Sequence, residues 1–229
     1  MSALIAYPKQ AAFGHVLPKN KIYAHSSANT RLRDLFVEQV EQIIWQYKLA
    51  PETTNLPARP DVPEIQIFSI QLKTPALHED VLHCIDGAIP FPIVFELIFA
   101  GRTQVIAAYK HPDKANTSRW VHSNYFASTW LPIDSERIAM PVALHLGNLY
   151  EQLLHRLIPL PVRAQETLAE LVVRTEQVTT KRREIEKTQA KLKREKQFKR
   201  KVEINAELRK LRTELSELKE TRYPTRSRP

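Results

Sequence analysis

The chain carries a single cysteine, Cys84, and four glycines, at positions 14, 87, 101 and 147. A lone thiol can build neither an intramolecular disulfide framework nor a cysteine-based zinc knuckle, so a reducing compartment such as the cytoplasm is the natural home. Four scattered glycines leave no Gly-rich loop to cradle phosphates, and nucleotide hydrolysis is not expected. Long apolar runs are also missing: none approaches the roughly 18 residues a membrane helix needs, and MSALIAYPKQ lacks the basic start and apolar stretch of a secretory signal. A soluble protein without membrane contact is expected. The eight histidines are dispersed and no HExxH occurs. His78 and His83 stand five apart, a spacing that does not stack two ligands on one helical face, so neither a metal nor a cofactor is expected. His83 and Cys84 are neighbours on a helical pattern, where adjacent side chains point about 100 degrees apart and cannot act together. That leaves Cys84 as a buried structural thiol.

What the sequence does contain is 43% hydrophobic residues, which excludes wholesale disorder. Its length suits one packed domain of about 150 residues plus an appended element. Charge divides the chain. From Arg163 to Pro229 there are 20 Lys plus Arg against 11 Glu, a balance of +9, while the remaining 162 residues hold 14 of each sign. Lys181 to Lys201 alone holds 11 cations and 3 anions. Such an excess attracts phosphates or acidic protein surfaces with a strong salt dependence, although a lysine-rich helix face can also be merely solvated.

Along the first part, Pro8, Gly14 and Pro18 break residues 1–29, with a short edge strand expected at KNKIY, 19–23. From Thr30 to Leu49, Leu32, Leu35, Phe36, Val40, Ile43, Ile44 and Tyr47 recur every three or four residues, which predicts one amphipathic helix capped near Asn29 or Thr30 and stopped by Pro51. PETTNLPARPDVP, 51–63, carries four prolines and suits a crossing loop. EIQIFSIQLK, 64–73, suits a strand, and PALHEDVLHCIDGAI a short helix weakened by Gly87. PIVFELIF and TQVIAAYK flank Ala100, Gly101 and Arg102 as an antiparallel hairpin. Both faces of its first arm are mostly apolar, Ile93, Phe95, Leu97 and Phe99 on one and Val94, Glu96 and Ile98 on the other, so the hairpin should be central. A further strand is expected in SRWVHSNYF, 118–126, and a closing helix in PVALHLGNLYEQLLHRLI, 141–158. This order implies an α+β domain over 1–160 with a mainly antiparallel sheet and packed helices. A disordered tail is expected at 223–229.

Between Pro161 and Pro224 there is neither Pro nor Gly, and Glu, Lys, Arg, Leu and Ala dominate, so residues 161–222 are expected to form a basic helical extension. Leu171, Thr175, Val178, Arg182, Ile185, Gln189 and Leu192 follow alternating steps of four and three, as do Ile204, Leu208, Leu211, Leu215 and Leu218. The two series are out of phase inside the basic patch, which fits either a helical hairpin bending between about 193 and 203 or one coiled-coil rod with a stutter. Polar seam positions in the first series favour the hairpin.

Three patterns invite a chemical reading. Pro60-Asp61 followed by Gln71-Leu72-Lys73 superficially matches the PD…(D/E)xK layout of magnesium-dependent nucleases. Gln71 is neutral, however, and only one strand separates Asp61 from Lys73. An ordinary strand-end lysine is preferred; Glu41 or Glu64 would have to substitute as the acid. Glu96, amid apolar neighbours, is either a surface residue or a buried acid in need of a cationic partner. Trp120, Tyr125, Phe126 and Trp130 lie near cations and could stack nucleobases, but core packing explains them as simply.

The segments LPKNKIYAH, FVEQVEQIIWQYKLAPETTNL, EIQIFSIQLK, CIDGAIPFPIVFELIF and KREKQFKRKVEINAELRKLRTEL, in this order over nearly the whole chain, resemble the bacterial domain-of-unknown-function family catalogued as 4391. Members of that family are often encoded beside DNA methyltransferases and helicase-type restriction subunits. The resemblance therefore implies an accessory subunit of a restriction-modification or antiphage defence system, and it carries over no catalytic residue. With the charge pattern, the expectation is a non-enzymatic protein that docks on a helicase or methyltransferase. Lys191, Lys193, Arg194, Lys196, Lys199, Arg200 and Lys201 would meet DNA phosphates without reading bases, and Phe198 would anchor the arm or stack on a base. An assembly module whose arm binds an acidic partner and a divergent nuclease are the rival expectations.

Overall fold

The computed structural model of the chain describes residues 3–26, 28–113, 115–116 and 119–220. The tail expected at 223–229 lies outside them. The chain divides into two compact units, Met1–Leu157 and Ile158–Pro229.

The strands of the first unit are β1 (Ile5–Ala6), β2 (Ala12–Val16), β3 (Val40–Leu49), β4 (Ile65–Leu72), β5 (Ile93–Phe99), β6 (Arg102–Pro112), β7 (Trp120–Ala127), β8 (Leu131–Pro132) and β9 (Ile138–Ala139). Its helices are α1 (Lys19–Ala24), α2 (Thr30–Gln39), α3 (Pro51–Thr54), α4 (Glu79–Ala88) and α5 (Leu146–His155). The main sheet runs β2-β3-β4-β5-β6-β7, with β8 paired to β6, while β1 and β9 form a separate parallel pair. Every neighbouring pair along the main path is antiparallel except β4 and β5, whose residues Ser69 and Glu96 face each other in a parallel ladder. The sheet is therefore mixed and mostly antiparallel. The connection explains the exception: α4 lies between these two strands in the chain, and such a crossover returns the next strand in the same direction.

Two expected elements change type. Residues 30–49 are not one helix. Asn29 caps α2 through its Oδ1, which accepts the Leu32 N–H at 2.9 Å, but the helix ends at Gln39 and VEQIIWQYKL continues as β3. Spaced apolar residues fit a helix equally well there, yet the β-branched and aromatic side chains find a full-length partner in β4, and ladder pairing outweighs a local periodicity that favours neither state strongly. KNKIY is helix α1 rather than an edge strand. It follows Pro18, buries Ile22, and directs the Lys19 ammonium to the carbonyls of Phe36 (2.9 Å) and Val40 at the end of α2. The 51–63 loop opens with the short helix α3, and the helix expected over 141–158 is confined to α5, capped by His145.

The β5–β6 hairpin turns through Ala100 (φ 47°) and Gly101 (φ 73°), the pair of positive φ angles that a two-residue turn requires. One face of the sheet buries Phe68, Ile70, Ile93, Phe95 and Leu97 against Phe36 of α2 and Val81, Leu82 and Ile85 of α4. On β5's other face Glu96 is buried and gripped by Arg137, whose two terminal nitrogens lie 2.8 and 2.7 Å from the carboxylate oxygens. Arg137 also donates to the Ile5 carbonyl at 3.0 Å, tying the β1–β9 pair to this side. Of the two options open for Glu96, the paired buried acid is the one realised.

The second unit holds two long helices, α6 (Leu168–Arg194) and α7 (Phe198–Lys219). They lie antiparallel: Lys181 bridges to Glu214 at 2.8 Å, and Arg174 near the start of α6 donates to the Leu218 carbonyl near the end of α7 at 3.0 Å. Leu171, Thr175, Val178 and Ile185 are buried, as are Ile204 and Leu208, whereas Arg182 of the first seam series is exposed. Thr167 and Glu170 form a reciprocal capping box at the start of α6. No helix among the described residues is long and apolar enough to cross a membrane.

Candidate nucleic-acid interface

The hairpin bends at residues 195–197, inside the range expected from the phase break. No glycine is needed because Glu195 and Gln197 are extended, with φ of −70° and −80°. The side chain of Glu195 supplies what the bend lacks: its Oε1 accepts the backbone N–H groups of both Lys196 and Gln197 at 2.8 Å. Those two bonds, with the nearby charges of Arg200 and Lys201, hold its carboxyl below the usual range. The single acid between Lys191 and Lys201 is thus occupied by the bend itself.

Around it the structure gathers every residue expected to carry phosphate contacts. Lys191, Lys193 and Arg194 end α6, Lys196 lies in the bend, and Lys199, Arg200 and Lys201 occupy the start of α7. All seven are exposed, and none makes an ion pair among the described residues. Phe198 opens α7 with 81% of its surface exposed, and Val202, one turn on, is 53% exposed. The start of α7 has no side-chain cap and no acid in its first turn, so its unpaired amides add positive potential. Chemically this is a cationic tip carrying an uncovered ring, suited to binding anions and to stacking.

Two further cations were not singled out in the sequence. Arg183 and Lys187 are exposed and stand four apart, continuing with steps of four and three to Lys191 and Arg194. Helical periodicity puts these four on one face, a basic stripe about 17 Å long by helix rise. The signal was present as spacing but was masked by the density of lysine and arginine around it.

Elsewhere the sequence candidates separate. Asp61 sits in a tight turn in which Arg59 and Val62 bond each other, before β4, whereas Lys73 follows β4 at its far end. Eight intervening strand residues hold them apart by roughly 25 Å at strand rise. Lys73 instead donates from Nζ to the Val37 carbonyl at 2.7 Å, closing the C-terminal turn of α2, a favourable place for a cation. Glu41 is exposed at an irregularity in the β3–β4 ladder, and Glu64 accepts from Gln66 at 2.6 Å and pairs with Lys48 at 3.3 Å. No group of three or more His, Cys, Asp or Glu side chains suited to a metal occurs among the described residues. Cys84 is buried, its Sγ donating to Ser26 Oγ at 3.1 Å, and burial raises its pKa. Phe126 is buried and Trp120, Tyr125 and Trp130 are half-buried; Tyr125 and Trp130 pack against the core cluster, which agrees with core packing.

One polar cluster had no sequence signal at all. Lys110 of β6 sends Nζ to the Asp86 carboxylate (3.1 Å) and to the carbonyls of Asp86 and Ile89 at the end of α4. Tyr125 of β7 donates to the other Asp86 oxygen, and above it His83 Nδ1 lies 3.3 Å from His122 Nε2, the two rings stacked. Because α4, β6 and β7 supply one or two residues each, sequence spacing cannot assemble them.

No curated protein and no solved structure is significantly similar to the chain. The family model described as Domain of unknown function (DUF4391) matches residues 5–215, spanning both units. The chain belongs to this family.

Proposed function

We propose that this protein is a non-enzymatic, cytoplasmic accessory subunit that grips DNA phosphates, independent of sequence, through the tip of its α6–α7 hairpin. The reading assigns the α+β unit to docking on a helicase or methyltransferase subunit of a restriction-modification or antiphage defence system, in keeping with the genomic company of the family. The antiparallel α6–α7 pair serves as the coiled-coil arm that carries this tip. The observation that carries the reading is the density of uncompensated charge: seven exposed cations between Lys191 and Lys201 surround one acid already bonded to the bend. Positive groups with no carboxylate partner raise the local potential most, and phosphate is the ligand they neutralise with release of counterions.

The test is duplex binding by the full chain at several salt concentrations. Two 30-base-pair duplexes of unrelated sequence should bind alike, and log affinity should fall against log salt with a slope of about −6 if all seven cations meet phosphates. Charge reversal at Lys193, Arg194, Lys199 and Arg200 should abolish most of the binding. Wild-type affinity unchanged by those reversals would overturn the assignment. A nuclease-resistant complex with an acidic protein, in the absence of any DNA affinity, would transfer the tip to the rival role of an assembly module.

A further inference from the structure

Phe198 stands where neither folding nor phosphate binding requires it. It is 81% exposed at the first position of α7, beside Lys196 and Lys199, and it is not part of the buried series Ile204 and Leu208. An exposed ring on a solvated helix loses hydrophobic free energy in water and gains nothing from a phosphate. Val202 lies one turn further on the same side and is half exposed, so ring and aliphatic chain form a small apolar wall rimmed by cations. On α6, the stripe Arg183, Lys187, Lys191 and Arg194 runs along an exposed face toward the same tip. A phosphate track that ends at an unpaired aromatic platform is the combination that binds single-stranded nucleic acid, in which base faces are free to stack. A continuous duplex presents phosphates to the stripe but keeps its bases stacked within the helix.

We infer that the hairpin tip recognises nucleic acid with unpaired bases, a single strand or the junction between single strand and duplex. Arg183, Lys187, Lys191 and Arg194 follow the backbone, and Phe198, backed by Val202, stacks on an exposed base. This rests on the phosphate-binding reading above and narrows its ligand. It also gives the tip a place of action on DNA that a helicase has opened or a nuclease has resected, since both reactions produce strands with free base faces.

The experiment compares three ligands of matched length by fluorescence anisotropy with the full chain: a mixed-sequence single strand, the same strand with abasic sites throughout its centre, and the duplex. The wild type should bind the intact single strand roughly tenfold more tightly than the abasic strand, the range expected for one stacked base. Phe198→Ala should bring the intact strand down to the abasic affinity and leave duplex binding within about twofold, because the ring meets bases and not phosphates. Phe198→Trp should retain or raise the preference. Since Phe198 packs in no core, its truncation leaves the fold intact, and an unchanged far-UV circular dichroism spectrum verifies this. Equal affinity of the wild type for intact and abasic strands, with steep salt dependence, would overturn the stacking inference and leave the phosphate reading standing. Absence of binding to all three ligands would overturn the phosphate reading and the inference with it.

Discussion

Lys110 Nζ and the Asp86 carboxylate form an ion pair at 3.1 Å in which the side chains are 2% and 3% exposed. The same lysine also satisfies the carbonyls of Asp86 and Ile89, while its backbone N–H donates to the Tyr150 hydroxyl of α5 at 3.0 Å. One residue of β6 therefore contacts two helices, α4 through its side chain and α5 through its backbone. Burial lowers the Lys110 pKa even though the Asp86 charge acts against this.

Removing one member of such a pair strands the other without water. Lys110→Met should destabilise the first unit by about 3–5 kcal/mol in urea unfolding. The double replacement Lys110→Met with Asp86→Leu should cost less than the sum of the two single changes by at least about 1 kcal/mol, because no lone charge remains. Strict additivity would show that the two side chains do not act as a pair.

At alkaline pH the buried phenols decide the outcome. Tyr7, Tyr125 and Tyr150 are held protonated well above their ordinary value of 10.0, mainly by burial, with Asp86 adding to the effect at Tyr125. The folded state keeps protons that the unfolded chain releases, so their stabilisation is complete below pH 10 and declines as pH rises beyond it. Lys110 acts in the opposite sense: its depressed pKa makes its own contribution improve as pH approaches 10.5. The large upward shifts of the three buried phenols outweigh it. Melting temperature should fall steadily above about pH 10, and tyrosinate absorbance should show a late, abrupt step that coincides with unfolding.

The base of the hairpin has its own clasp. Arg174 contacts Glu166 at 2.6 and 2.8 Å and donates to the carbonyls of Pro161 and Leu218. Arg163 adds bonds to the carbonyls of Glu217, Leu218 and Glu220. The hydrogen-bonded Arg174 guanidinium holds the Glu166 carboxyl below its ordinary 4.5. A depressed carboxyl stabilises the fold above its unfolded pKa and loses that contribution as pH falls through the folded one. Amides at the end of α7 should therefore lose hydrogen-exchange protection on acidification below about pH 4.5. Arg174→Ala should lose most of that protection already at pH 7 and become nearly insensitive to acid.

Glu195 separates bend formation from charge. Glu195→Gln keeps an oxygen to accept the Lys196 and Gln197 N–H groups but removes the one negative charge at the tip, so those amides stay protected and duplex affinity rises about threefold. Glu195→Ala raises affinity similarly and exposes both amides to rapid exchange. Slow exchange in the alanine variant would show that other contacts maintain the bend.

Ala100 occupies a left-handed conformation at φ 47°. An alanine there is strained by about 1 kcal/mol relative to glycine or asparagine. Ala100→Gly or Ala100→Asn should raise the unfolding free energy by that amount, read as a higher urea midpoint at constant slope.

The sequence by itself determined what depends on near neighbours along the chain. The cap at Asn29 could be read from local residue order, as could the tight turn at Ala100-Gly101, the central strand with Glu96, the Gly- and Pro-free helical region and the concentration of cations near residues 191–201. Each rests on propensity, periodicity or charge within a dozen positions. Only the tertiary structure decided that residues 40–49 form a strand, because their apolar spacing fits two periods and pairing with β4 chooses between them. The same holds for the parallel β4–β5 ladder and for the union of Lys110 with Asp86 and of Glu96 with Arg137. These depend on which surfaces meet in space, and the free energy of a buried pair or a ladder exists only once distant segments have been brought together and water has been removed from between them.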